Sequence, residues 1–98
     1  MIEVNVTNDP KRQQFQVNMD GEAAFLEYRW SEGVLVLMHT EVPDKLGGRG
    51  IGSALAAYAF RYAMEREARV KVYCPFVAAW LKKHPEWREI VVTEGGGR

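Results

Sequence analysis

The sequence predicts an α/β domain of the α+β kind. Its sheet is mixed and mostly antiparallel: a four-stranded antiparallel meander, then a helix, a parallel strand, a second helix and a last edge strand. Three observations predict this. Before Pro43, apolar residues alternate at period two in short segments separated by turn signals. After residue 50 the apolar period becomes helical. The first helical segment is also long enough to cross over to a strand running parallel to the last strand of the meander. A chain of 98 residues suits one core, so residues 1–93 are assigned to a single domain and residues 94–98, with Gly95-Gly96-Gly97, to a disordered tail.

The elements follow in order. Ile2, Val4 and Val6 alternate with Glu3, Asn5 and Thr7, as in a half-buried strand, and Asn8-Asp9-Pro10 signals a turn. Phe15, Val17 and Met19 alternate with Gln14, Gln16 and Asn18 in a second strand, which Asp20-Gly21 ends as a hairpin dipeptide. Ala24, Leu26, Tyr28 and Trp30 form the third strand, and Ser31-Glu32-Gly33 turns again. Val34 to Met38 is continuously apolar, as expected of a central strand covered on both faces. Ile51, Leu55, Tyr58, Ala59 and Tyr62 recur at helical spacing in an alanine-rich segment. Val70 to Tyr73 reads as the parallel strand, and Phe76 to Lys83 as the second helix, ended by His84-Pro85. Ile90-Val91-Val92 reads as the last edge strand, while Trp80 and Trp87 read as core or edge cover.

Composition removes several functions. Thirteen basic residues balance thirteen acidic ones, so no overall field draws the chain to nucleic acid or anionic lipid. One cysteine, Cys74, forbids an internal disulfide, and with His39 and His84 it is too small a set for a structural zinc site, so no metal is expected. The start of the chain lacks a basic region followed by an apolar one, and no apolar run approaches about 18 residues. The expectation is a cytoplasmic protein without a membrane or nucleic-acid partner.

Residues 46–53 read Leu-Gly-Gly-Arg-Gly-Ile-Gly-Ser, between a buried strand and a helix. A helix N-terminus leaves about four N–H groups unpaired and carries partial positive charge. Glycines let backbone approach an anion closely, and Arg49 adds a forked, permanently charged donor. A diphosphate-binding turn is one reading; a flexible loop with a glycine-rich helix start is the other. A Walker A loop would need Lys where Ser53 stands. A dinucleotide G-x-G-x-x-G would need Gly where Ser53 or Leu55 stands, and would open a parallel βαβ unit rather than follow a meander.

A strand, a Gly50-Ile51-Gly52 turn and a helix after an antiparallel meander resemble the acetyl-CoA loop of the GNAT superfamily of N-acetyltransferases. The family motif Arg/Gln-x-x-Gly-x-Gly/Ala is matched except at its first position, where Gly47 stands; Arg49 would supply the charge from two residues along. The resemblance sharpens toward a small, single-domain branch, the minimal GNAT-like acetyltransferases. Its marks here are His39-Thr40-Glu41-Val42-Pro43, the glycine loop, Tyr73-Cys74-Pro75-Phe76 and Lys83-His84-Pro85-Glu86-Trp87, in that order over residues 38–87.

The resemblance implies an acetyl-CoA-dependent N-acyltransferase whose acceptor is an amine. The pantetheine arm would enter between strands 34–40 and 70–73, with the pyrophosphate on N–H groups of Gly48 to Ser53. Backbone at Glu41 and Val42 would pair with the pantetheine amides. The implied coenzyme A contacts are Thr40, Glu41, Val42, Gly47, Gly48, Arg49, Gly50, Ile51, Gly52, Ser53, Tyr73, Cys74, Pro75 and Phe76, with Lys82 and Lys83 as further phosphate contacts or as a solvated face.

The implied catalytic residues are Cys74, Glu41 and His39. Cys74 opens the second helix, where a thiolate is favoured, and would act as acyl carrier or as proton donor to the leaving thiolate. A buried structural cysteine is the alternative. Glu41 and His39 share one strand face, opposite Thr40, and would take the proton of the amine; a structural His and a salt-bridged Glu are the alternative. Tyr73 reads as another acid or, more simply, as sheet packing.

Larger GNAT domains place helices between the first two strands to shape the acceptor pocket. Here only residues 8–12 connect them, so the acceptor side is expected to be open, as for a protein or peptide amine or a site finished by a partner, rather than a small enclosed metabolite. A monomer or weak dimer is expected. A non-catalytic coenzyme A-binding or protein-interaction module on the same scaffold is the competing reading.

Overall fold

Period-two burial builds the sheet. The strands are β1 (Thr7–Asp9), β2 (Gln14–Met19), β3 (Glu22–Ser31), β4 (Val34–Glu41) and β5 (Arg69–Val72), as seen in a computed structural model that describes residues 4–92. They lie in the order β1-β2-β3-β4-β5, antiparallel except for the parallel β4–β5 pair. Two tight hairpins set the register. Asp20 and Gly21 take φ of 55° and 78°, and Glu32 and Gly33 take 51° and 81°. These positive values let a two-residue loop follow the twist of its strands.

The crossover from β4 to β5 runs through α1 (Ile51–Glu65), and α2 (Pro75–Lys83) follows β5. Both helices cover the sheet face that carries Phe15, Val17, Leu26, Tyr28, Leu35 and Leu37. Ile51, Leu55, Ala59 and Phe60 of α1 and Val77 and Trp80 of α2 complete the core against it. Small side chains at Ala56, Ala59 and Ala63 are fully buried, which lets α1 approach the sheet closely.

Four expectations need correction. The first strand is Thr7–Asp9, not the Val4–Val6 stretch, and the turn falls at residues 10–13. Ile2 and Glu3 lie outside the described residues, while Val4 and Val6 pack against the core without joining the sheet. The reason is Asn8, whose side-chain carbonyl accepts from the Tyr28 hydroxyl at 2.7 Å and whose amide donates to the Tyr62 hydroxyl at 3.3 Å. Those contacts fasten residues 7–9 beside β2.

The last edge strand shrinks to a single bridge between Val70 and Val91, with Val92 N–H donating to the Val70 carbonyl at 2.8 Å. Pro85–Ile90 winds instead into a 3-10 turn, opened by a proline preset for it. β4 is buried on both faces only at Leu35, Val36 and Leu37; neither helix covers its second face, where Val34, Phe25 and Glu27 are partly exposed and Arg29 is exposed. Tyr73 does not pack in the sheet either; it is 56% exposed on that open face. The assigned tail at 94–98 lies outside the described residues.

Candidate functional site

The site begins where the β4–β5 ladder stops. Cα pairing ends at Leu37 and Val72, and one further bond joins Tyr73 N–H to the Leu37 carbonyl at 2.9 Å. β4 continues to Glu41, with His39, Thr40 and Glu41 paired only to β3. The register slips there: Glu27 faces His39 while Tyr28 faces Leu37, so Met38 is an extra residue on β4. A bulge of this kind bends its strand and ends pairing on one side. Residues 38–41 therefore border a gap whose other wall is Cys74 and the start of α2.

Cys74 and Thr40 meet across that gap. Thr40 Oγ1 lies 3.0 Å from Cys74 Sγ, and the cysteine is 2% exposed. Cys74 is the N-cap residue of α2, so its sulfur sits beside a helix start whose first position, Pro75, has no N–H to offer. His39 and Glu41 lie on the other face of β4, as the spacing predicts, with His39 Nε2 2.9 Å from Glu41 Oε1. Both are more than half exposed. Phe25 walls this pair, its ring centroid 6.2 Å from that of His39.

At the mouth of the gap lies the glycine loop. Pro43 leads into a short 3-10 turn at Asp44–Leu46, whose Leu46 is fully buried and anchors the loop. Gly48 and Gly50 take φ of 77° and 76°, so the chain reverses sharply before α1. The helical ladder starts with Ala54 N–H donating to the Gly50 carbonyl at 3.0 Å. The N–H groups of Ile51, Gly52 and Ser53 precede that ladder and point out of the helix end. They border a hollow of about 380 Å³ between the loop, Val42 and Phe76. Gly52 has a second role: a Cβ there would stand 2.6 Å from Phe76 Cζ, so only glycine lets the ring lie over the helix start.

Exposed N–H groups, a permissive backbone, a hollow of ligand size and the bare edge of β4 suit a diphosphate carrying an extended amide arm. Coenzyme A has that chemistry, and Asp44 is the one carboxylate among the described residues lining the hollow. Arg49 does not stand ready for it. Its Nη1 lies 2.7 Å from Asp20 Oδ2 and 3.4 Å from Met19 Sδ, on the β2–β3 hairpin. Lys45 pairs with Glu22 at 3.6 Å on the same hairpin. Sequence spacing gives no sign of these partners, since 29 residues separate Arg49 from Asp20.

The structure thus gathers Thr40 with Cys74, His39 with Glu41, and Val42 and Gly47 to Ser53 with Phe76. Two groups escaped the sequence reading. Met38, 38% exposed, is the bulge that opens the gap. Trp80 donates its Nε1–H to Ser53 Oγ at 2.8 Å, which locks α2 to the first turn of α1. The helical position of Trp80 signals core, but nothing local names Ser53 as its partner.

Comparison with known proteins agrees with this architecture. The sequence model of the family described as GCN5-related N-acetyl-transferase matches residues 14–90. Protein NATD1 of Bos taurus is 35% identical over 85 residues, spanning 84% of this chain and 75% of that protein. Protein NATD1 of Danio rerio is 30% identical over 94 residues, spanning 91% and 86%. The solution structure of a GCN5-like protein from Staphylococcus aureus superposes with a TM-score of 0.71 at 21% identity, covering 100% of this chain and 99% of that one, which speaks for the fold. With the family model covering the glycine loop, the gap and both of its walls, the chain belongs to the GCN5-related N-acetyltransferase family.

Proposed function

We propose that the protein is an acetyl-CoA-dependent N-acyltransferase that moves an acetyl group to an amine by way of Cys74. One observation carries this reading: β4 runs past the end of its β5 pairing, and the chain's single thiol closes the gap so formed. When bound, acetyl-CoA supplies an acetyl group activated as a thioester. The N–H groups of Ile51, Gly52 and Ser53 hold its diphosphate, and the bare edge of β4 at residues 38–41 hydrogen-bonds its amide arm.

Cys74 Sγ then forms a bond to the acetyl carbon as the carbon–sulfur bond of the thioester breaks. The thiol proton passes by way of the Thr40 hydroxyl to the departing sulfur. A neutral amine next attacks the acetyl carbon on Cys74 and releases the thiolate. The surplus proton of the amine goes to the Glu41–His39 pair, and the thiolate regains a proton from solvent. His39 and Glu41 are exposed on the open face, and the amine approaches the acetyl group on Cys74 from that side.

The open face supports one acceptor class. Only residues 10–13 link β1 to β2, and neither helix covers Phe25, Met38 or Tyr73. An amine on a protein or peptide fits such a surface better than a metabolite needing enclosure.

Titration with coenzyme A followed by amide NMR tests the binding half. Shifts confined to residues 39–54 and 73–83 are expected; no binding at millimolar ligand overturns the reading. Intact-mass analysis after acetyl-CoA tests the covalent half. An acetyl adduct absent from Cys74→Ala supports it, and turnover without an adduct reassigns the thiol to proton donation. The neutralisation of Arg49 by Asp20 favours a second reading, a coenzyme A-binding module without transfer. Tight binding with no transfer to any peptide or polyamine would establish that module.

A further inference from the structure

The open face of the sheet holds a hollow of about 400 Å³ that the proposed chemistry does not use. Val34 and Val36 lie along its floor, and Tyr73, next in sequence to Cys74, forms the end nearest the gap. The register explains its shape. Val36 pairs with Arg29 of β3 on one side and with Lys71 of β5 on the other. Direct cross-strand partners share a sheet face, and neighbouring strands lie about 4.8 Å apart. Two cations therefore flank an apolar floor across three strands.

Arg29 is held in place. Its Nη1 donates to the Tyr28 carbonyl at 2.8 Å and its Nη2 to Glu27 Oε2 at 3.2 Å. Those bonds use two of the five N–H groups of a guanidinium. The side chains of the Arg29–Glu27 pair are 47% and 32% exposed, so a ligand carboxylate competes with Glu27 at little cost. Lys71 Nζ stands 5.3 Å from the centre of the Tyr73 ring. Glu32, the one carboxylate among the described residues lining the hollow, sits in the β3–β4 turn, at the end away from Tyr73.

The charge changes sign toward the gap. Glu27 pairs with His39 across β3 and β4, and Phe25 pairs with Glu41. These pairs put carboxylates where the amine is proposed to arrive. Arg29 lies two residues from Glu27 and four from Phe25 along β3, which is about 7 and about 14 Å.

We infer that this hollow recognises an acidic side chain of the acceptor, an Asp or Glu two to four residues from the lysine whose amine takes the acetyl group. The inference rests on the acyltransferase reading and adds a sequence preference to it. An amine drawn to Glu27 and Glu41 and a carboxylate drawn to Arg29 and Lys71 stand about 7 to 14 Å apart, and an extended peptide covers that span in two to four residues. The methylene stem of the acidic residue lies on Val36.

The test compares acetylation of two lysine peptides that differ only in carrying Glu or Gln at the second, third and fourth residues on either side of the lysine. Wild type is expected to favour the Glu peptide in kcat/KM by roughly five- to tenfold, the range of two half-exposed ion pairs. About 0.5 M salt should bring that preference to within about twofold. Arg29→Gln and Lys71→Gln should each lower the ratio by about two- to threefold, and the double variant should bring it close to one. The ratio is taken within each variant, so a general loss of activity does not move it, and either single variant serves if the other does not fold. Equal use of both peptides by wild type, or a ratio that the double variant keeps, overturns the assignment. Amide NMR reads binding without catalysis: the Glu peptide should shift Val34, Val36, Lys71 and Tyr73 at a concentration where the Gln peptide does not. If those signals move and no peptide is acetylated, the acyltransferase reading fails and the hollow stands as the peptide site of a non-catalytic module. If peptides are acetylated and those signals stay still, the hollow fails alone.

Discussion

Arg49 Nη1 and Asp20 Oδ2 lie 2.7 Å apart, and this contact ties the glycine loop to the β2–β3 hairpin. The cation of the glycine loop is therefore neutralised by a carboxylate of the same chain. A phosphate must compete with Asp20 for the guanidinium, and Asp20 itself repels the ligand. Arg49 is 35% exposed and Asp20 58% exposed at the side chain, so water screens the pair and its worth is bounded by about 1 kcal/mol.

Asp20→Asn is accordingly expected to tighten coenzyme A binding by up to about fivefold, the equivalent of that bound. Asn tolerates the left-handed conformation at this position (φ 55°), so the hairpin survives the change. The gain should vanish in an Arg49→Ala background, measured by calorimetry as a double-mutant cycle. A gain that persists without Arg49 would mean that Asp20 acts only through its long-range field.

Thr40→Val tests the contact across the gap. Valine keeps the shape and removes the hydroxyl that meets Cys74 Sγ at 3.0 Å. Under the proposed role for Thr40 in proton passage, acetyl transfer should fall by about 10²-fold. The Kd for coenzyme A, read by calorimetry, should stay within about twofold because the diphosphate contacts are untouched. A parallel loss of affinity would make Thr40 a binding residue instead.

The glycines of the loop answer to two different constraints. Gly50 has φ of 76°, where a side chain costs about 1–2 kcal/mol, so Gly50→Ala should lower the melting temperature by about 4–8 °C per kcal/mol. Gly52 has no such restriction, and Ala there sits in the first turn of α1. Its Cβ would displace the Phe76 ring, which is 44% exposed and at the far end of its side chain. Gly52→Ala should therefore leave thermal stability within about 1 kcal/mol, with helix propensity offsetting lost ring contact, yet weaken coenzyme A binding. Circular dichroism melts and calorimetry on both variants separate the two roles.

Local pattern foretold most of the sheet because period two and hairpin dipeptides are short-range signals. Asp20-Gly21 and Glu32-Gly33 turn where the sequence places turns, and the faces of β2 and β3 follow their alternation. The glycine loop and the His39–Glu41 pair were legible for the same reason. What was not legible depends on partners far along the chain. Asn8 is held by Tyr28 and Tyr62, 20 and 54 residues away, so a turn signal became a strand. Arg49 finds Asp20, and Ser53 finds Trp80, only once β3 and α2 are in place. The Met38 bulge has no compositional mark at all, since it arises from unequal spacing of two pairings on β3.

Tyr28 joins the first strand to the core, and its ionisation offers a stability probe far from the site. Burial pushes its phenol above the ordinary value of 10.0, and the neighbouring Tyr62 hydroxyl pushes it further in the same direction. The folded state therefore holds the phenolic proton more tightly than the unfolded chain does. Its contribution to stability is full below pH 10.0 and is lost as pH rises toward the folded-state value. Tyr28→Phe removes the titration together with the 2.7 Å hydrogen bond to Asn8. At neutral pH it should cost about 1 kcal/mol for that bond. Above pH 10.0 the gap between wild type and variant should narrow, because only wild type is drawn toward unfolding by ionisation of this residue. Urea unfolding at pH 7 and at two alkaline pH values measures both effects, and a gap that stays constant with pH would show that Tyr28 ionises as readily in the core as in the unfolded chain.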